Sequence, residues 1–374
     1  MEAESLDSVT ILLSAIYNLQ YFTRKFREIL CNMYTLSEIM FIANGGSMEQ
    51  YLKEFLSINN LSEESISNDK RLQGLYERIP QWLSEIEEPH RPIFLLLLKY
   101  LNYFNREKVH NTFVSVYERF RLSETSWENT IYAPITPKRP IYNGTNEFFS
   151  IFREVCNPEV RPTRIAFQLR DFLKMFNTSE VSNIVLIDDI IGTGTTFRDF
   201  LNPLIEEFSH QFKNKKIYVL CLVAHPKGIN KMNSIGKQHG IEIHCINGYG
   251  LSKAFEQGML FKTEKERIAA KQIVKFYEEK VAKRNDDIMG FQNSEGLVAF
   301  FHNTPNNTLS TFWEQEAKVT WHPIFPRTIR GEELPIENSV NTLEAIKKRD
   351  IKKNNLAKVI YSKIKEKLTN GTTR

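Results

Sequence analysis

Residues 183–197, NIVLIDDIIGTGTTF, constrain this chain more than any other stretch. The apolar run Ile184–Ile187 has the length and composition of a strand buried on both faces. It leads directly into Asp188 and Asp189, then Ile190 and Ile191, then Gly192-Thr193-Gly194-Thr195-Thr196, with a helix expected from about Thr196. Strand, glycine turn and helix in that order deliver a loop to the carboxyl edge of a sheet, where α/β folds bind ligands. Gly192 and Gly194 admit unusual backbone angles and close approach of a ligand to the main chain. Successive N–H groups form a nest for an anion, and the helix start adds its positive end. Three threonines bring hydroxyl donors to the same place, so the segment reads as a phosphate cradle. Asp188 and Asp189 repel phosphate; they suit hydrogen bonds from ribose hydroxyls, or Mg2+ held directly or through water. The bland alternative is a tight turn with an acidic pair for solubility, but the order of all the parts favours a site. No Gly-Lys-Ser/Thr is present, which excludes a P-loop, and Phe197 stands where a dinucleotide fingerprint needs its third glycine.

The surrounding pattern alternates. Strands are expected at Thr130–Ala133, Lys216–Ala224 and Ile241–Ile246, with helices at Glu147–Val155, Arg164–Met175, from the glycine turn through Phe208, and at Asn230–Gln238. Near-continuous apolar strands separated by helices predict an α/β fold with a mostly parallel sheet flanked by helices. Right-handed crossovers then place the strand ends along one edge. Before this region the chain reads as helical up to about Arg121. Ile11, Leu12, Ile16, Leu19 and Phe22 fall near helical spacing, as do Leu52, Phe55 and Leu56, and Pro89 and Pro92 bracket the start of a helix Ile93–Asn105. The expected organisation is an N-terminal helical domain over 1–121, an α/β domain over 122–330 and a basic helical tail over 331–374.

Charge is unevenly distributed. The whole chain of 374 residues carries a formal +4, yet Lys347–Arg374 alone holds ten basic and two acidic residues, a net +8 that leaves −4 for the rest. In the tail, Ile351, Leu356, Val359, Ile360, Ile364 and Leu368 describe a basic amphipathic helix, either solvated on the body or touching nucleic-acid phosphates or an acidic partner. Cys31, Cys156, Cys221 and Cys245 show no C-x-x-C spacing, which argues against a zinc ribbon and for a reducing cytoplasm. The start, MEAESLDS, has no basic region of a secretory signal. The longest apolar run, Ile93–Leu98, is far short of the roughly 20 residues a membrane span needs. A cytoplasmic protein without a membrane partner is the expectation.

The stretch VLIDDIIGTGTT resembles the 5-phosphoribosyl-1-pyrophosphate signature of type I phosphoribosyltransferases: an apolar strand, two acids, two apolar residues and a Thr-Gly-x-Thr-like loop. The resemblance implies a phosphoribosyltransferase-like sheet in which Gly192, Thr193, Gly194, Thr195 and Thr196 hold the ribose 5′-phosphate. It implies that Asp188 and Asp189, the catalytic pair, hold the ribose 2′- and 3′-hydroxyls, with Mg2+ on the other face of the sugar. In that family the loop after the first sheet strand contacts pyrophosphate; here it is Pro134–Asn146, with Lys138, Arg139 and the Gly144-Thr145 backbone as candidates, or simply an exposed loop. His225 ends another strand on the same edge. Many members carry a mobile catalytic hairpin before the Asp-Asp strand; Cys156–Glu180 reads instead as a short loop and a helix, with Arg161 and Arg164 as candidate substitutes.

Downstream, Gly290–Trp313 reads as a late strand, Leu297–Phe301, followed by an Asn/Thr-rich loop. Together with the Asp-Asp loop it is similar to phosphoribosyltransferase-like proteins of bacterial conflict systems, some encoded beside retron reverse transcriptases as defence effectors. In that comparison His302, Asn303, Asn306 and Asn307 are acceptor-side candidates, unless Asn306-Asn307 only shape a turn. The resemblance, over roughly 125–320, implies a protein that binds phosphoribosyl pyrophosphate or a related nucleotide with Mg2+ and serves anti-phage defence as a retron-type toxin. Its implied partners are a reverse transcriptase and its DNA–RNA hybrid; a homo-oligomer stays open. The alternative is a catalytically inactive nucleotide-sensing module regulated by such a partner.

Overall fold

The computed structural model describes residues 47–136, 144–156 and 159–327. The chain first forms α1 (Met48–Ile58), α2 (Glu63–Asn68), α3 (Leu75–Ser84) and α4 (Arg91–Lys99), then a short strand β1 (Asn102–Phe104) and a long helix α5 (Arg106–Ser123). The α/β region follows as β2 (Thr130–Pro134), α6 (Gly144–Cys156), α7 (Leu169–Met175), β3 (Asn183–Ile191), α8 (Thr195–Glu207), α9 (Ser209–Phe212), β4 (Lys216–Ala224), α10 (Pro226–His239) and β5 (Glu242–Gly250). The last elements are α11 (Glu264–Val281) and β6 (Val298–Phe300).

The expected parallel sheet is present. Its order is β2-β3-β4-β5, every neighbouring pair is parallel, and β3 sits inside with β2 on one side and β4 on the other. One face carries Ile184 and Leu186 of β3 and Ile217 and Val219 of β4 against Phe197 and Leu201 of α8 and Met232 of α10. The other carries Val185, Ile187 and Leu220 against Phe113, Val116 and Phe120 of α5 and Phe148 and Phe152 of α6. Burial on both faces is why these strands read as continuous apolar runs. Because all four strands are parallel, Pro134, Ile191, Ala224 and Gly250 end at one edge.

Three expectations change. The helix placed at Ile93–Asn105 stops at Lys99, and Asn102–Phe104 is a strand paired in parallel with Val298–Phe300. Buried Asn59 enforces this: its amide Nδ2 donates to Phe55 and Leu101 carbonyls, and its Oδ1 accepts from Tyr103 N at 2.6 Å. The helix expected at Arg164–Met175 begins only at Leu169, because Ala166 N donates to Tyr132 O at 2.8 Å and Ile165 bridges to β2. The Asp pair lies within the end of β3 rather than in the loop after it.

Residues before Arg121 share a core with residues after Leu251, so a continuous apolar contact crosses the boundary drawn at 121. Phe55, Trp82, Phe94 and Leu98 pack with Ile273, Tyr277, Phe312 and Phe325. Trp82 is fully buried, 5.1 Å from the Phe312 ring and 5.7 Å from Phe94, and its Nε1 donates to Thr311 O at 2.9 Å. No helix among the described residues is long and apolar enough to cross a membrane. The tail over 331–374 lies outside the described residues. Trp82→Ala removes the largest fully buried side chain of this shared core and is expected to cost about 3–5 kcal/mol. A urea titration that finds less than about 1 kcal/mol would show that the two regions do not depend on one another.

Candidate functional site

Asp188 closes the buried part of β3. It is 5% exposed, paired in register with Cys221 of β4, and its Oδ1 accepts from Asp189 N at 3.0 Å. Asp189 is half-buried and its Oδ1 accepts from Ile190 N at 2.8 Å. Each carboxylate is thus pinned by the amide that follows it, which fixes both at the strand end. Cys221, fully buried against Cys245 at an Sγ–Sγ separation of 3.9 Å, has its thiol pushed upward by that contact, by burial and by the two aspartates.

Gly192, Thr193 and Gly194 turn the chain into α8. Gly194 is the N-cap with φ +76, and no side chain caps the helix, so its first N–H groups are left to a ligand or water. Thr193 and Thr195 hydroxyls lie 3.1 Å apart, and Thr196 is exposed on the first turn. The turn is clasped from two sides. A Cβ on Gly194 would stand 2.9 Å from Lys231 Cβ and 3.1 Å from Gly228 O, both on α10. A Cβ on Gly192 would stand 2.6 Å from Asn307 Cγ. The glycines are needed for close approach of neighbouring elements as much as for backbone angle.

Asn307 belongs to the loop after β6, which sequence spacing alone could not bring here. The structure places this loop over the end of β3. His302 lies edge-on to Phe148 of α6 at 4.5 Å, and Asp189 is close enough to act on its charge. Burial drives the His302 pKa down to about 4, Asp189 pulls it back only in part, and Arg71 adds to the depression, so the imidazole is neutral at pH 7. Its Nδ1 and the Asn307 Nδ2 are both buried with no hydrogen-bond partner in the protein. Asn303 and Asn306 are used differently: Asn303 Oδ1 accepts from Thr304 N at 2.9 Å, and Asn306 Nδ2 reaches Asp287 Oδ1 at 3.4 Å. Of the four acceptor-side candidates, His302 and Asn307 are the pair brought to the Asp-Gly edge.

His225 follows β4, and its backbone N donates to Ile191 O at 2.8 Å. Its Nδ1 accepts from Lys227 N, which makes it the N-cap of α10, and burial and Lys253 lower its pKa. Gly144 and Thr145 open α6 at the same sheet edge; Lys138 and Arg139 lie outside the described residues.

Sequence reading missed the groups that hold the late loop down. Arg71, from the turn between α2 and α3, donates to Phe300 O at 2.7 Å, Thr304 Oγ1 at 2.7 Å and Pro326 O at 2.8 Å. Its burial lowers even the guanidinium pKa, to about 10. Glu278 of α11, wholly buried, accepts from Met289 N and Ser310 N at 2.9 Å and from Thr311 N at 2.7 Å. Burial pushes its carboxyl up to about 7 against those donors. A lone arginine in a polar turn and a glutamate inside a helix carry no sequence signal.

The PRTase-CE family model matches residues 79–327. The chain belongs to the PRTase-CE family. This is a phosphoribosyltransferase-like family, and the PRTase-CE match takes in both halves of the site, β3 with its glycine turn and the loop after β6. No curated protein matches the chain. Among solved structures the chain is similar to the AQ2163 protein from Aquifex aeolicus, at 14% identity over 53% of this chain and 95% of that one, with a TM-score of 0.25.

Two outcomes follow from this geometry. Gly194→Ala forces a side chain into the left-handed region against α10 and is expected to destabilise by about 1–3 kcal/mol in urea unfolding; no change would refute the clasp. The folded His302 pKa of about 4 lies below its ordinary value of 6.5, so its share of stability is complete above pH 6.5 and is lost as pH falls toward 4. His302→Gln should therefore flatten the loss of unfolding free energy between pH 6.5 and 4, read from urea titrations, by up to about 3 kcal/mol. An unchanged pH profile would show that the imidazole is not held neutral by its surroundings.

Proposed function

We propose that this PRTase-CE protein binds phosphoribosyl pyrophosphate, or a related ribose phosphate, at the carboxyl edge of β3. The observation that carries the reading is the uncapped start of α8, entered through Gly192–Gly194 immediately after two fixed carboxylates. An anion at that start meets free N–H groups, the helix dipole and the threonine hydroxyls. Asp188 and Asp189 are set back along β3, where ribose hydroxyls can donate to them.

Mg2+ fits this donor set only in part. No group of three or more His, Cys, Asp or Glu suited to a metal occurs among the described residues. Two carboxylates, each with one oxygen already accepting a backbone N–H, suit an ion completed by substrate oxygens and water, which is the usual way Mg2+ is held. When bound, Mg2+ would offset the charge of a departing pyrophosphate. In the reaction so proposed, the bond from ribose C1 to pyrophosphate breaks, pyrophosphate leaves with the electron pair, and an acceptor bonds to C1. The chain's own part is to orient the sugar through the Asp pair and its phosphate through the turn.

A second reading, binding without transfer, is favoured by the segment before β3. Residues 159–168 form a short 3-10 turn at Pro162–Arg164 and a bridge from Ile165 to Tyr132, where a catalytic hairpin would otherwise stand. The role in anti-phage defence, as a retron-type toxin governed by a reverse transcriptase and its DNA–RNA hybrid, belongs to the proposal and rests on the resemblance of residues 183–197 and 290–313.

Phosphoribosyl pyrophosphate with Mg2+ is expected to raise the melting temperature of the wild-type chain, and Asp188→Ala with Asp189→Ala to abolish the rise. Pyrophosphate release that disappears in the same variant supports transfer; binding without release supports the second reading. Absence of binding by the wild type removes both.

A further inference from the structure

Asn307 is 6% exposed, and its amide Nδ2 is buried without a partner in the protein. It is not a loose side chain. Its own carbonyl accepts from Gly296 N at 2.9 Å and Ser294 Oγ at 2.8 Å, and the next residue, Thr308, accepts at its carbonyl from Trp313 Nε1 at 2.8 Å. With the backbone tied on both sides, the amide is directed onto Gly192, the first residue of the turn that leads to the uncapped start of α8. A buried donor without an acceptor is destabilising, and native proteins seldom keep one unless something else completes it. The same turn offers further donors in the N–H groups of the first helical turn, and the Thr193 and Thr195 hydroxyls, 3.1 Å apart, can turn a proton outward. The buried amide donor therefore stands beside further donors, the N–H groups of the first helical turn, and an anion held there would complete both.

We infer that Asn307 is a ligand of the sugar phosphate itself: its Nδ2–H donates to a phosphate oxygen held by Gly192–Thr196. This rests on the proposed reading of the turn as a ribose phosphate cradle and moves Asn307 from the acceptor side to the phosphate side. Without ligand the amide lies against Gly192, shielded from water. A phosphate at the turn gives this donor the acceptor that the protein does not supply. Arg71 and Glu278, which tether that loop, then bear on affinity as positioning residues.

The test is calorimetric titration of the full chain with ribose 5-phosphate, for the wild type, Asn307→Asp and Asn307→Ser, with melting temperatures recorded without ligand. Asp keeps the shape of Asn but replaces the donor by a negative charge; Ser keeps a small donor that falls short of the ligand. The inference expects Ser to weaken binding roughly 10-fold and Asp to weaken it more. A role in packing alone predicts that Ser lowers the melting temperature without ligand and still binds ribose 5-phosphate like the wild type, whatever the buried charge of Asp does. That result overturns the inference. Failure of the wild type to bind ribose 5-phosphate would instead count against the cradle reading itself.

Discussion

The parallel pairing of β3 with β2 on one side and β4 on the other is the constraint on which the rest depends. A strand hydrogen-bonded on both edges and packed on both faces has nowhere to place a charge except at its end. The sequence obeys this: apolar residues fill Ile184–Ile187, and both carboxylates wait until Asp188 and Asp189. Shifting the register by one residue would flip Asp188 to the opposite face, toward the layer of Ile187, Phe113 and Phe148, with no partner to offset its desolvation. Parallel connection also sends Ile191, Ala224 and Gly250 to the same edge, so the turn after β3, the cap of α10 and the chain after β5 arrive together.

That edge is completed by a loop more than a hundred residues later. Its placement depends on polar groups that are costly to bury and correspondingly costly to remove. Glu278 gathers three backbone N–H groups from residues 289, 310 and 311, and Arg71 gathers three oxygens from residues 300, 304 and 326. Glu278, wholly buried, and Arg71, half-buried, each tie distant segments together, and a missing partner would leave a desolvated polar group unpaired. The helical region before α5 thus helps to position the loop after β6, and Arg71, outside the family match over 79–327, is the direct link.

Much of this was legible in the sequence where local chemistry decides structure. Lys216–Ala224 is a strand at its expected boundaries because nine consecutive residues with hardly a polar side chain can only be a doubly covered strand at that length. The glycine turn was legible for a similar reason: few other arrangements use two glycines and three threonines between a strand and a helix. Asn102–Phe104 was not, since Tyr103 and Phe104 continue the apolar pattern of the helix before them; the partner strand that converts them lies near residue 299. Asn307 looked like one of several polar residues in a turn. Its place against Gly192 comes from the tethering of its own carbonyl and that of Thr308, a three-dimensional fact without a local signature.

The central claim is that β3, its glycine turn and the loop after β6 form one site for a ribose phosphate. A crystal structure of the full chain with phosphoribosyl pyrophosphate and Mg2+ tests it most directly. The account predicts the 5′-phosphate on the backbone of residues 193–196, the ribose hydroxyls on Asp188 and Asp189, and the loop after β6 in contact with the ligand. Density for the donor elsewhere on the molecule, with the start of α8 holding only water, would contradict it.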